Sequence, residues 1–258
     1  MKCTSKRVVG YWHYGVILTY LSLALSVCGI CFAAAYGGPR RSDIAALFLL
    51  LAGLCDAFDG MVARTRKNRT ADDKMFGIQI DSLSDLVSFG IAPIMVGVAM
   101  GMTRWYFCIF YVFYVLCALV RLAYYNVDEA KRISDPESGS RESYLGLPVT
   151  NAALAVPIFY LIASMLDSPA YAVSLGLGKI DVQIYRGVIM MFGYALLGIL
   201  FIVKFRMFKA HARGLIVTIL IVTAIVVSLS LVRAYVCDNP LFEPLKRFDP
   251  ETLTAVCC

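Results

Sequence analysis

Long apolar runs separated by short polar segments dominate the hydrophobic pattern of this 258-residue chain. Each of seven runs is long enough to cross about 30 Å of hydrocarbon as a helix that rises about 1.5 Å per residue. The pattern lacks the alternation typical of half-buried strands and any repeat of about 20–50 residues. It therefore predicts an all-α integral membrane protein, a polytopic helical bundle of about six to seven transmembrane helices. The predicted spans are residues 13–36, 44–63, 77–101, 105–126, 146–166, 185–203 and 214–236.

The composition supports this fold class and a single domain. Hydrophobic residues make up 60% of the chain, whereas a soluble domain contains about 45–50% apolar residues. The mean hydropathy is +0.73. We expect one membrane-embedded domain over residues 1–236, with its core at 13–166, and a C-terminal tail at 237–258.

The placement of basic residues predicts the orientation in the membrane. The net charge is +6, and most of the 24 Lys and Arg residues fall in four segments, at 2–7, 64–74, 121–141 and 204–213. If the N-terminus is cytoplasmic and seven spans alternate, all four segments are cytoplasmic, as the positive-inside rule requires. We therefore expect a cell-membrane protein whose basic residues contact membrane lipids and not nucleic acid.

Four aspartates lie in the second and third predicted spans. Asp56 and Asp59 are three residues apart, and Asp81 and Asp85 are four apart, so each pair shares one face of its helix. A carboxylate near the bilayer centre costs about 2.5–3.5 kcal/mol on insertion scales. Four neighbouring acids also repel one another. In the predicted orientation, the acids lie at the cytoplasmic ends of their spans.

Divalent cations would offset the charge of these acids. Two acid pairs on facing helices could hold two ions about 3.5–4 Å apart. Ligands that are all oxygen suit Mg²⁺ or Mn²⁺ and not zinc. Small residues near the acids leave room for close helix packing or for a ligand: they are Gly60, Ala63, Gly77, Ser84 and Ser88. The pattern points to metal-assisted phosphate chemistry.

Two other interpretations of the acids are open at this point. They could form intramembrane ion pairs with Arg64 or Arg121, although four acids outnumber these arginines. They could also mark the ion pathway of a cation/proton-coupled membrane transporter. Acids spread through the depth of the membrane would be more typical of a transport pathway.

An eight-residue motif in this region resembles the signature of the CDP-alcohol phosphatidyltransferase family. The motif reads Asp56-x-x-Asp59-Gly60-x-x-Ala63-Arg64, followed after a gap by Gly77-x-x-x-Asp81-x-x-x-Asp85. The resemblance implies that the four aspartates hold two divalent metal ions, and that these ions bind the diphosphate of a CDP-linked lipid. It also implies that the last acid, Asp85, acts as the catalytic base.

The resemblance implies roles for further residues. The contacts to the CDP-linked lipid would be Asp56, Gly60, Ala63, Arg64 and Gly77. Arg64 would bind a phosphate with its fork of donors, and Gly60 and Ala63 would leave space for cytidine. Many relatives carry Pro-Asn where the first span begins, whereas this chain has Tyr14-Gly15.

Residues around the motif resemble the branch of the family that makes phosphatidylserine. These residues are 76–93, 120–126 and 146–148. The resemblance implies transfer of the phosphatidyl group from CDP-diacylglycerol to L-serine, with CMP released. Glycerol phosphate, inositol phosphate or choline as acceptor is the alternative. The resemblance to the family also implies that the protein is a homodimer.

Three polar side chains are predicted to contact the acceptor. Arg121 would bind the carboxylate of serine, although it could instead extend to lipid phosphates from the end of the fourth span. Gln79 and Ser88 lie near the acids in the sequence and would be polar contacts.

Overall fold

A computed structural model describes residues 16–35, 41–63, 70–134, 143–166 and 179–208, together with scattered residues between 214 and 231. The described chain forms a bundle of helices and one small sheet. Its helices are α1 (Ile17–Ala35), α2 (Arg41–Ala63), α3 (Ala71–Asp85), α4 (Ala92–Ala99), α5 (Trp105–Ser134), α6 (Ala152–Met165) and α7 (Lys179–Ile202). A π-helical turn (Leu86–Ile91) joins α3 to α4, and a 3₁₀ turn (Val149–Asn151) leads into α6. The strands are β1 (Ser143–Leu145) and β2 (Arg206–Phe208).

The helical membrane architecture predicted from the sequence is confirmed. Within the described residues, 4 helical segments are long and apolar enough to cross a membrane: Ile17–Ala35, Asp72–Ala99, Trp105–Lys131 and Val182–Ile202. Helix α2 has 23 residues and carries acids near both ends, and Val149–Met165 forms a shorter apolar helix. The predicted tail at 237–258 lies outside the described residues.

Helix α3 begins before its predicted span because a polar capping box starts it. The Thr70 hydroxyl accepts a hydrogen bond from the Asp73 amide at 3.1 Å, and the Asp73 carboxylate accepts one from the Thr70 amide at 3.2 Å. These bonds satisfy donors that a helix start leaves unpaired. The hydrophobic pattern placed this start at residue 77, since the first turns of α3 are polar.

Helix α5 extends to Ser134, well beyond the predicted span end at residue 126. Polar but helix-compatible residues, among them Glu129 and Lys131, occupy its last turns. Pro136 follows shortly after the helix ends. Hydrophobicity here indicates where the helix leaves the apolar region, and not where the helix itself ends.

A two-stranded sheet joins two segments that are distant in sequence. Strands β1 and β2 pair antiparallel, with Tyr144 opposite Met207. The Gly146 amide extends the pairing by donating to the Phe205 carbonyl at 2.7 Å. Strands of three residues are too short for a recognisable alternation of polar and apolar positions, so the sequence pattern did not indicate them.

The third predicted span is interrupted by the π-helical turn. Pro93 has no amide hydrogen and cannot donate to the carbonyl of Phe89, four residues earlier. That carbonyl instead accepts a hydrogen bond from the Tyr114 hydroxyl. The π-helical turn contacts α1, α2, α5 and α6, and Phe89 is fully buried. The turn that follows Asp85 therefore lies at the centre of the bundle.

Helix α1 packs closely along α2. A Cβ atom placed on Gly29 would lie 2.6 Å from Cβ of Phe48, so the two helices approach each other at a glycine. On the other face of α2, Leu50 belongs to a buried cluster with Val222. The described part of the seventh predicted span thus packs against the bundle.

Candidate active site

Helices α2 and α3 bring together the two halves of the acidic motif. Asp56 and Asp59 lie near the C-terminal end of α2, and Asp81 and Asp85 lie near that of α3. Asp59 and Asp85 are buried, whereas Asp56 and Asp81 are partly buried. Four acids that are separated in sequence therefore share one region of the bundle.

Three of the four carboxylates form a compact group. One oxygen atom from each of Asp56, Asp81 and Asp85 lies within 4.8 Å of the corresponding atoms of the other two. The carboxyl groups of Asp56 and Asp85 are also hydrogen-bonded to each other. Oxygen atoms at this spacing, contributed by two helices, can serve as ligands of a divalent cation.

Asp59 lies beside this group and is oriented by a different helix. Its Oδ2 accepts a hydrogen bond from the Thr19 hydroxyl on α1. Asp59 is close enough to repel the negative charges of Asp56, Asp81 and Asp85. The structure thus gathers three of the predicted metal ligands and holds the fourth next to them.

The chemistry of these residues fits a hard divalent metal. All the clustered ligand atoms are carboxylate oxygens, which are the ligands that Mg²⁺ and Mn²⁺ prefer. Buried carboxylates in mutual contact repel one another, and a cation between them removes that repulsion. The site therefore fits the predicted metal chemistry without any change of ligand type.

On the α3 side, the described residues leave space beside the acids. Gly77 lies one turn before Asp81, and among the described residues a Cβ atom placed on Gly77 would meet no atom within 4 Å. The side-chain surroundings of Gly60 and Ala63 in α2, and Arg64 entirely, lie outside the described residues. The roles assigned to these three residues stay predictions.

Ser88 and Gln79 lie in very different surroundings. Ser88 is fully buried in the π-helical turn, and its hydroxyl has no hydrogen-bond partner within the described part of the chain. Gln79 is exposed on α3, and at about 100° per residue it lies about 200° around the helix from Asp81. Of these two predicted acceptor contacts, Ser88 is the one that shares the interior of the bundle with Asp85.

Arg121 stabilises the segment that follows β1. Its Nε donates to the Leu147 carbonyl at 3.2 Å, and its Nη2 donates to the Gly146 carbonyl at 3.4 Å. Gly146 has a φ of 78°, which side chains other than glycine rarely adopt. A Cβ atom there would lie 3.0 Å from the Val203 carbonyl oxygen. The guanidinium group therefore links α5 to a tight turn near the end of α7.

Sequence analysis missed two contacts around the acids. Thr19 was not identified as a partner of Asp59. The hydroxyl of Ser82 donates to Oδ1 of Asn126 at 2.5 Å, which ties α3 to α5 next to Asp81. A row of small polar residues at helical spacing in α1 was the available signal for the first contact.

Comparison with known proteins identifies the family. The model of the CDP-alcohol phosphatidyltransferase family matches residues 12–196, which is most of the chain. The chain therefore belongs to this family of membrane proteins. This membership leaves the transporter interpretation without support. No solved structure matches the chain.

Curated relatives make the comparison more specific. The chain is 40% identical over 128 residues to the CDP-diacylglycerol–serine O-phosphatidyltransferase of Saccharomyces cerevisiae, covering 49% of this chain and 45% of the relative. It is 35% identical over 143 residues to the archaetidylserine synthase of Methanothermobacter thermautotrophicus, covering 55% and 52%. A CDP-diacylglycerol–serine O-phosphatidyltransferase of Helicobacter pylori is 30% identical over 157 residues, covering 57% and 56%. The chain thus spans about half the length of the curated relatives it matches.

Proposed function

We propose that this protein transfers the phosphatidyl group from CDP-diacylglycerol to L-serine, giving phosphatidylserine and CMP. The observation that carries the proposal is the group of carboxylate oxygens from Asp56, Asp81 and Asp85, which lie within 4.8 Å of one another inside the family motif. Serine is the favoured acceptor because all three relatives described above carry serine in their names.

The four aspartates are the proposed ligands of two divalent ions, Mg²⁺ or Mn²⁺. When bound, such ions would neutralise the diphosphate and polarise the phosphorus under attack. Asp56, Asp81 and Asp85 are supported as ligands by their mutual spacing. Asp59 is supported by its place beside them and by its hydrogen bond with Thr19.

Asp85 is the proposed catalytic base. The serine hydroxyl oxygen forms a bond to the β-phosphorus, and the bond from that phosphorus to the bridging diphosphate oxygen breaks. CMP leaves with the electron pair, and Asp85 takes the hydroxyl proton. Two observations support this role: Asp85 is buried away from water, and one of its oxygen atoms lies within 4.8 Å of the corresponding atoms of Asp56 and Asp81.

The CDP-lipid is proposed to lie along the C-terminal part of α2 and the open side of α3. The space that the described residues leave beside Gly77 supports this location. Gly60 and Ala63 would leave room for cytidine, and Arg64 would bind a phosphate. Asp56, one of the proposed metal ligands, would lie between the metal ions and the CDP-lipid and would contact both.

The acceptor is proposed to bind next to Asp85 through Arg121, Ser88 and Gln79. Serine carries a carboxylate that requires a cation, which Arg121 in the second half of α5 would supply. The buried hydroxyl of Ser88, three residues after Asp85, supports a polar contact there. Gln79 is the outermost of the three, since its side chain is exposed.

We propose further that the active site faces the cytoplasm and that the protein is a homodimer. The positive-inside distribution of Lys and Arg supports the orientation. The proposed domain is the membrane-embedded region at 1–236, with its core at 13–166 and a separate tail at 237–258. A cytoplasmic site would allow a soluble acceptor to meet a lipid substrate at the membrane surface.

An acceptor screen tests the reaction. Purified protein in detergent receives CDP-diacylglycerol, Mg²⁺ or Mn²⁺, and one labelled acceptor: serine, glycerol phosphate, inositol phosphate or choline. We expect CMP release and labelled lipid with serine. Turnover with a different acceptor and not with serine would reject serine while keeping the chemistry. Absence of CMP release under every condition would reject the reaction itself.

A further inference from the structure

Helix α1 presents a row of small residues to the bundle. Thr19, Ser22, Ser26, Gly29 and Ala33 are the buried residues of this helix, and their spacing of three and four residues places them on one face. A row of this kind allows helices to approach closely in a membrane. Close packing accounts for the size of these residues but not for the partners of their hydroxyl groups.

The three hydroxyl groups in this row have different partners. Ser22 donates to the Ala52 carbonyl at 3.0 Å, and Ser26 donates to the Ser22 carbonyl of its own helix, also at 3.0 Å. Thr19 donates to Oδ2 of Asp59. Of the three, only the Thr19 hydroxyl bonds to a carboxylate, and that carboxylate belongs to the family motif.

Thr19 also contacts the other half of the motif. Its main-chain carbonyl accepts a hydrogen bond from the Ser84 hydroxyl at 3.3 Å. Ser84 is buried and immediately precedes Asp85. Thr19 is itself only 4% exposed. A single residue of α1 therefore bonds to α2 through its side chain and to α3 through its main chain.

From this arrangement we infer that Thr19 is a positioning residue for the metal site, one that sets the orientation of the Asp59 carboxylate. A hydrogen bond to one oxygen restricts rotation of the carboxylate, so the direction of its second oxygen is also set. Hydrogen bonds of this kind to metal ligands are typically worth about 10–100-fold in metal affinity. The inference rests on the proposed function, because it takes Asp59 to be a ligand.

Binding of Mn²⁺ to the purified full-length protein tests the inference without any turnover. Electron paramagnetic resonance of free Mn²⁺ gives the number of bound ions and their affinities. We expect two ions in the unaltered protein. In Thr19→Val, which keeps the shape but loses the hydroxyl, we expect the affinity for one ion to fall by about 10-fold. Thr19→Ser should restore binding to near the original affinity.

Ser26→Ala is the matched control, because its hydroxyl lies on the same face of α1 but bonds within its own helix. It should bind Mn²⁺ like the unaltered protein. Two results would overturn the inference and leave the proposed reaction intact. One is an unchanged Mn²⁺ affinity in Thr19→Val, and the other is a loss of affinity in Thr19→Ser as large as that in Thr19→Val. If the unaltered protein binds no Mn²⁺, the proposed metal site and the inference both fail.

A double-mutant cycle separates positioning from general damage to the fold. If Thr19 acts through Asp59, then Thr19→Val should cause no further loss of Mn²⁺ affinity in an Asp59→Asn background. An additional 10-fold loss in that background would contradict the inference. Thermal unfolding in metal-free buffer identifies any variant that fails to fold. If Thr19→Val fails to fold, Thr19→Ser takes its place in the comparison with Asp59→Asn.

Discussion

The hydroxyl of Tyr114 on α5 donates a hydrogen bond of 2.5 Å to the main-chain carbonyl of Phe89. This carbonyl lies four residues before Pro93, which has no amide hydrogen to donate to it. In an apolar interior, an unsatisfied carbonyl costs several kcal/mol. The tyrosine thus ties α5 to the π-helical turn, four residues after Asp85.

Removing this hydroxyl should destabilise the protein. In Tyr114→Phe, the Phe89 carbonyl loses this hydrogen bond, and we expect a loss of about 1–3 kcal/mol in the free energy of unfolding. Because the π-helical turn follows Asp85 directly, we expect kcat to fall and the KM for either substrate to change less than kcat does. Unfolding in detergent and steady-state kinetics measure the two effects. Tyr106→Phe, on the same helix, is the control and should change stability by less than about 0.5 kcal/mol.

Asp81→Asn should separate metal binding from fold stability. Loss of one clustered carboxylate should reduce activity by at least about 100-fold and weaken the rise in melting temperature that Mg²⁺ or Mn²⁺ produces. In the presence of a chelator, the same variant should melt at an equal or higher temperature, because one repelling charge is gone. Asp72→Asn, an exposed acid in the first turn of the same helix, should match the unaltered protein. A metal-dependent melting shift that survives Asp81→Asn would contradict the proposed ligand set.

Gly146→Ala should impair the acceptor side of the reaction. At Gly146 the positive φ, and the 3.0 Å that would separate an added Cβ atom from the Val203 carbonyl oxygen, make a methyl group unfavourable by about 1–2 kcal/mol. The strained turn would move the two carbonyls that Arg121 contacts, so the KM for serine should rise while the KM for CDP-diacylglycerol stays constant. Gly214→Ala is the control, since a Cβ atom there meets nothing within 4 Å in the part of the chain that the structure describes. An equal rise in both KM values would indicate general damage and not an effect on acceptor binding.

Ser88→Ala should have opposite effects on stability and on acceptor binding. Its hydroxyl is fully buried and has no partner in the described chain, so its removal should stabilise the protein by up to about 1 kcal/mol. If serine contacts this hydroxyl, the KM for serine should rise several-fold. Parallel thermal unfolding and kinetics test both parts. A stabilised variant with an unchanged KM for serine would remove Ser88 from the acceptor site.

The acidic motif and the helical bundle could be predicted because both depend on local patterns. The spacing of Asp81 and Asp85 puts them on one helix face whatever the rest of the fold is. The start of α3 at Thr70 was also available from the sequence, since Thr and Asp three residues apart form a capping box. Hydrophobicity alone does not indicate this start, because the first turns of α3 are polar.

Contacts between distant segments could not be predicted in this way. Thr19 and Asp59 are 40 residues apart, and their hydrogen bond depends on how α1 lies along α2. Pro93 indicates a break in the third span, but the hydrogen bond between Tyr114 and the Phe89 carbonyl depends on the position of α5. The partners of Arg121 also depend on a distant segment. The sequence predicts that Arg121 binds a substrate, whereas in the structure its partners include two main-chain carbonyls.

The small sheet changes where the structural unit ends. Residues matched by the family model stop at 196, yet β2 lies beyond that point and pairs with β1, which precedes α6. A chain cut between α7 and β2 would leave the backbone groups of β1 without their partners and remove the Phe205 carbonyl that accepts from Gly146. The turn held by Arg121 is therefore completed by residues outside the matched region, and the boundary set by sequence similarity falls short of the one set by hydrogen bonding.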